Sequence, residues 1–277
     1  MTDSTALPRT KSAPRWIRAV AFSALACTLG ICSAASAAPA PAAPPDAPQP
    51  KTLPQQDVTI RSAPGDILRD QAVIWTSPLR LRPHDLVWFA PLAVATGAAI
   101  ATDHRAMADV VTHDPDFNQA NVDTSNVLIG GFIAAPVALY GYGHFHESAH
   151  AREAGILSGE ALLDGVVVEQ GMKLIFWRER PAVDNARGHF FQTSTGVDSS
   201  FPSSHSVLAW AAASSIASEY PSRWTQFFVY SAATGVSLTR VMGQEHFPSD
   251  VLVGSAAGWL IGHYVTHRHH RHSHATN

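Results

Sequence analysis

The chain has 277 residues, a formal net charge of -3 and 15% charged residues, with a sequence pI near 6.6 and mean hydropathy of +0.01. That length can bury a substantial core in one large or two small domains. The charge balance excludes the basic footprint that nucleic-acid binding needs.

In chain order, Arg9, Lys11, Arg15 and Arg18 precede an apolar stretch from Ala19 to Ile31, and Ala35-Ser36-Ala37 follows as a cleavage signal. Residues 1–37 therefore read as an export signal, directing the protein to the periplasm or cell envelope. An uncleaved anchor is the alternative, although the stretch is shorter than the ~20 residues a span requires. Both cysteines, Cys27 and Cys32, fall inside the signal, so the mature protein is expected to carry no disulfide. Residues 38–56 are Ala/Pro-rich and read as an extended tether. Folding is expected to begin between Asp57 and Leu68.

Beyond the tether the apolar periodicity is helical. Six segments stand out: Leu86–Thr102, Val127–Tyr142, Ile156–Trp177, Val207–Tyr220, Phe227–Val241 and Val251–Val265. An all-α bundle of about six core helices is predicted over residues 57–265, with a disordered His-rich tail at 266–277. Most of these runs are about 14–17 residues, short of a bilayer span. The third also carries Glu160, Asp164, Glu169 and Lys173, which are costly in lipid. On length and charge the reading is a soluble or peripherally attached bundle rather than an integral one, the first two segments being the most compatible with lipid.

Chemistry concentrates in three C-terminal stretches. Lys173 and Arg180 lie seven residues apart, with Pro181 next, a spacing that puts both cations on one helical face. An ordinary ion pair of Lys173 with Glu169 is the competing reading. Pro202-Ser203-Ser204-His205 opens an Ala-rich helix; Ser203 or Ser204 can cap it, and its first-turn N–H groups can cradle an anion. His246 and Asp250 stand four apart around Pro248, with Arg240 upstream. That spacing can bring the carboxylate to one imidazole nitrogen and leave the other to attack. Singly, each stretch reads equally well as a surface pair, a helix cap or a turn.

In order, the three resemble the type 2 phosphatidic acid phosphatase (PAP2) superfamily, which includes acid phosphatases and vanadium haloperoxidases. Lys173, Arg180 and Pro181 match its first motif. Pro202, Ser203 and His205 match the second, with Ser204 in place of glycine. Arg240, His246 and Asp250 match the third, with Thr239 in place of serine. The resemblance covers about residues 155–265. It implies His246 as nucleophile, Asp250 as its orienting group, and His205 as general acid and then base. It also implies Lys173, Arg180, Ser203, Ser204 and Arg240 as phosphate ligands, with no metal or cofactor. Three cations can stabilise the spread charge of phosphoryl transfer by themselves. The implied partner is a phosphorylated small molecule or a lipid phosphate. A vanadate-dependent haloperoxidase and a non-catalytic anion- or metal-binding envelope protein are the alternatives.

Two signals compete. His146-Glu147-Ser148-Ala149-His150 is a literal H-E-x-x-H, for which Glu169 would be an imaginable third zinc ligand. The tail histidines, from His263 to His274, suit transition metals or anionic headgroups.

Overall fold

The computed structural model describes residues 58–195 and 198–274, with side chains to 269. The export signal at 1–37 and the tether at 38–56 lie outside the described residues. Seven α-helices and no strands occur among the described residues: α1 (Ala63–Thr76), α2 (Leu86–Arg105), α3 (Pro115–Phe145), α4 (Ala149–Phe176), α5 (Ser204–Glu219), α6 (Arg223–Met242) and α7 (Pro248–His274). The six predicted segments correspond to α2–α7. The unpredicted α1 begins within the expected window, with Pro64 in its first turn.

Local chemistry sets most of the boundaries. Asp114 caps α3 by accepting from the Phe117 N–H at 2.8 Å, and Ser222 caps α6 by accepting from the Thr225 N–H at 3.0 Å. Trp177, with φ +38°, ends α4 in the left-handed region.

α5 forms the axis of the bundle. Val207, Ala209, Ala211, Ala212 and Ala213 are fully buried, on faces covered by α4, α6 and α7. Its contact with α7 runs backbone to backbone. A Cβ on Gly258 would meet the Val207 carbonyl at 2.2 Å, and one on Gly262 would meet the Ala211 carbonyl at 2.2 Å. Only glycine permits that approach. It also brings the start of α5 to the start of α7, where the Ser203 N–H donates to the Asp250 carbonyl at 3.2 Å.

Two expectations need correction. The chain from 266 to 274 continues α7 rather than forming a disordered tail. Thr266 is fully buried and Arg268 forms an ion pair with Asp70, so packing on α1 extends the helix past the apolar run. The second concerns length: the first two apolar segments, the most compatible with lipid, lie in helical segments longer than their uninterrupted runs. The helical segments Pro83–Val110 and Pro115–Phe145, 28 and 31 residues, are long and apolar enough to cross a membrane. Val87, Trp88, Val94, Ile133 and Val137 on them are exposed, so their apolarity is not consumed by the core.

Candidate active site

One end of the bundle gathers all three motifs. The first begins on α4 and leaves it: the helix stops at Phe176, so Lys173 is helical while Arg180 sits in the following extended segment. The predicted shared helical face is replaced by a turn that swings Arg180 towards the α6–α7 connection. Its Nη1 donates to Glu245 Oε2 at 3.0 Å, and its Nη2 lies 2.9 Å from Asp198 Oδ1. Arg240, in the last turn of α6, places Nη2 3.1 Å from the same Glu245 Oε2 and donates from Nη1 to Ser125 Oγ at 3.1 Å. Two guanidinium groups thus converge on one carboxylate oxygen, an anion-binding geometry next in sequence to His246.

Lys173 is buried, with Nζ 3.5 Å from Glu169 Oε2. The ion pair weighed from sequence exists, inside the site rather than on the surface. Burial, followed by the neighbouring charge of Arg180, holds its ammonium below the ordinary range, with Glu169 opposing. Ser204 donates from Oγ to Glu169 Oε2 at 3.0 Å. The side chain that replaces glycine is thereby tied to the carboxylate that holds Lys173.

Ser203 is fully buried and precedes α5 without making a side-chain capping bond, contrary to the cap read from sequence. The first-turn N–H groups of α5 thus have no side-chain cap from Ser203, a geometry able to accept an anion. Ser203 Oγ instead accepts from Ser206 Oγ at 3.3 Å. His205 places Nε2 3.0 Å from Asn126 Oδ1 on α3. With Nε2–H donating to that amide, Nδ1 is the titrating nitrogen. Burial, then Arg240, His246 and Lys173, push His205 down to about 3.

His246 is buried, and its Nδ1 donates to the Ser200 carbonyl at 2.8 Å, whereas Asp250 Oδ2 is 3.7 Å away. The expected direct carboxylate–imidazole bond is therefore a backbone bond. It fixes the same tautomer, leaving Nε2 with a free lone pair. Burial above all pushes His246 below its ordinary value. Asp250 Oδ2 accepts from Ser200 Oγ at 2.5 Å and from the Phe247 N–H at 2.9 Å. The carboxylate holds the loops on both sides of the imidazole.

Behind it stands Arg178, missed by the sequence reading. This fully buried guanidinium donates to Asp250 Oδ1 at 2.5 Å, to Asp103 Oδ2 at 2.7 Å and to Ser249 Oγ at 2.7 Å. It lies 4.1 Å from the Phe247 ring centroid. Asp103, at the end of α2, also accepts from the Ser249 N–H at 3.1 Å, capping α7. The one available signal was Asp103 itself, a lone carboxylate closing an apolar run.

The H-E-x-x-H run does not form a zinc site. His146 follows α3, Glu147 has φ +55° and His150 begins α4, so the two imidazoles are on different elements. His150 Nδ1 lies 3.6 Å from Glu219, and Glu169 is with Lys173 near the far end of α4, about 30 Å of helix away.

Residues 154–273 match the family model of the PAP2 superfamily. All three motifs lie within that segment, so this part of the chain is similar to that superfamily. A curated relative, lipid A 1-phosphatase of Porphyromonas gingivalis, is 34% identical over 106 residues, which is 38% of this chain and 21% of the relative. The chain thus spans only about a fifth of that protein's length. A solved transmembrane PAP2-type phosphatidylglycerolphosphate phosphatase from Bacillus subtilis is 19% identical, with a TM-score of 0.47. The match covers 76% of this chain and 96% of that one.

Proposed function

We propose that the protein is an exported, membrane-associated lipid phosphate phosphatase that works through a phosphohistidine at His246. The observation that carries this reading is the convergence of Arg180 and Arg240 on one anionic oxygen beside an imidazole whose Nδ1 is already bonded. In the first step, Nε2 of His246 attacks phosphorus and the P–O bond to the leaving group breaks. His205, protonated when the phosphate dianion is bound, gives its proton to the departing alkoxide. In the second, water attacks phosphorus, His205 takes its proton, and the P–N bond breaks to restore His246 and release phosphate. Lys173, Arg180 and Arg240 neutralise the non-bridging oxygens, and Ser203, Ser204 and the first-turn N–H groups of α5 complete the cradle. Arg178 and Asp250 act as positioning residues.

A lipid substrate is favoured by the placement of this cradle against the first half of α3, where Ser125 and Asn126 meet Arg240 and His205, with Asp103 at the end of α2 behind it. If these two helices cross the bilayer, the cradle lies at the headgroup level of one leaflet. The activity of the lipid A 1-phosphatase relative points the same way. The test compares phosphate release from phosphatidate and lipid A in mixed micelles with release from p-nitrophenyl phosphate. The expected result is a kcat/KM at least ~10-fold higher for a lipid. Preference for the soluble ester would overturn the lipid assignment. Vanadate-dependent bromide oxidation without phosphatase turnover would instead support the haloperoxidase reading.

A further inference from the structure

The far end of the bundle holds a second buried ionic cluster, built from α1, α4 and α7. Asp250 and Arg268 are 18 residues apart on α7, so about 27 Å of helix separates this cluster from the site. Asp66 and Asp70 of α1 share Arg268: its Nη2 lies 3.5 Å from Asp66 Oδ1, and its Nη1 is bonded to Asp70 Oδ1. Asp66 Oδ1 also accepts from Arg69 at 2.8 Å. Asp164 is held by Gln71, an amide without charge, at 2.8 Å.

Glu160 is the exception. It is 2% exposed, and both of its carboxylate oxygens are buried without a hydrogen bond. Its Oε2 lies 3.4 Å from His269 Nε2. That nitrogen is already accepting: Arg268, which can only donate, places Nη2 2.7 Å from it. With Nε2 accepting from Arg268, His269 carries no proton on the nitrogen nearest Glu160 and donates none to that carboxylate. Two electron-rich groups face each other in a region where a bare charge is expensive, and a cation between them resolves the conflict. Ligand atoms of Asp66, Glu160 and His269 all lie within 4.8 Å of one another. Tetrahedral zinc, with bonds of ~2.0–2.1 Å, sets its ligands about 3.3 Å apart, so a contraction of about 1.5 Å at most completes the set. One imidazole with two carboxylates suits a borderline transition metal better than Ca²⁺ or Mg²⁺, which take oxygen ligands.

We infer that Asp66, Glu160 and His269 form a structural site for a divalent transition metal of the zinc class, clasping α1 and the end of α7 to α4. Arg268 keeps Asp70 and yields the His269 lone pair to the ion. A three-residue site with water in the fourth position gives the first helix and the histidine-bearing end of α7 a common anchor. The competing solution is protons, because burial raises Asp70 to about 6 and Asp164 to about 7.

The experiment uses the full chain purified without a polyhistidine tag, stripped with EDTA, reloaded with Zn²⁺ and dialysed. Bound zinc is read by mass spectrometry and stability by thermal melting. The expected result is about one zinc per chain and a Tm higher by about 5 °C, both lost in Glu160→Gln and in His269→Asn. The triple variant His270→Asn, His272→Asn and His274→Asn is expected to keep both. A chain that retains no zinc, or loses it only in the triple variant, would overturn the proposal. So would a Tm that Zn²⁺ leaves unchanged while Glu160→Gln raises it, the signature of a cluster satisfied by protons. Should Glu160→Gln fail to fold, His269→Asn decides, because it leaves every buried carboxylate in place. Phosphatase turnover plays no part in these readouts.

Discussion

Two buried charge clusters occupy opposite ends of one helical bundle, and they are unbalanced in opposite senses. At the motif end four carboxylates face fixed cations: Glu169 has Lys173, Glu245 has Arg180 and Arg240, and Asp103 and Asp250 have Arg178. The imidazoles there are pushed down by burial first and then by neighbouring cations. At the far end Arg268 is shared by two aspartates, and among the described residues no Lys or Arg lies within ion-pair distance of Glu160 or Asp164. There burial pushes Asp70 and Asp164 up. The same scaffold thus gathers fixed cations at one end and leaves the other short of positive charge. Burial is the first cause at both ends, since it disfavours the charged form of an imidazole and of a carboxyl alike; the ends differ in the charged partners that surround the buried groups.

The largest effect on this contrast should come from Arg178. Arg178→Met leaves Asp103 and Asp250 as uncompensated buried charges, a loss of about 3–5 kcal/mol that chemical denaturation would measure. A cost under 1 kcal/mol would show that the pairing behind His246 is not what holds the site.

The two ends should also respond to pH with opposite signs. His205 has a folded value of about 3 against an ordinary 6.5, so the unfolded chain binds its proton first. Its contribution is present above about 6.5 and lost as pH falls towards 3. Asp164 has a folded value of about 7 against an ordinary 3.8, so the folded chain binds the proton first. Its contribution is present below about 3.8 and lost as pH rises through 7. Denaturation across pH 3 to 8 should therefore show His205→Asn flattening the acid-side loss and Asp164→Asn flattening the loss towards neutrality. Slopes that move the same way in both variants would erase the contrast.

The smallest effect concerns Glu245, whose carboxylate stands where the two guanidinium groups meet an anion. Glu245→Gln removes a partly exposed competitor, worth about 1 kcal/mol, so inhibition by vanadate or phosphate should tighten about fivefold. Weaker inhibition would mean that Glu245 orients the arginines rather than competing with the ligand.

The helices were largely legible because apolar periodicity is local, and the three motifs were legible because spacing and order survive in one dimension. α1 escaped notice because polar residues interrupt its short apolar stripe. Its contribution lies in Gln71 and Asp70, which bond to α4 and α7. The Arg178 network joins residues 75 and 72 positions apart in sequence, and nothing in a periodic pattern announces such a pair. The role given to Asp250 moved for a related reason. A four-residue spacing permits a carboxylate–imidazole bond, but the Ser200 carbonyl arrives from another loop and takes the proton first. The left-handed Trp177, which carries Arg180 off the helix, had no glycine to advertise it.

The central claim is a covalent phosphohistidine on His246. The most direct measurement is an acid-quenched reaction with ³²P-labelled substrate, read as protein-bound label after alkaline and acid treatment. The account predicts an acid-labile, alkali-stable label on the wild type, none on His246→Ala, and a larger burst on His205→Asn with an aryl phosphate, whose departure needs no proton. Turnover by His246→Ala within about tenfold of the wild type, or label that survives acid, would contradict it.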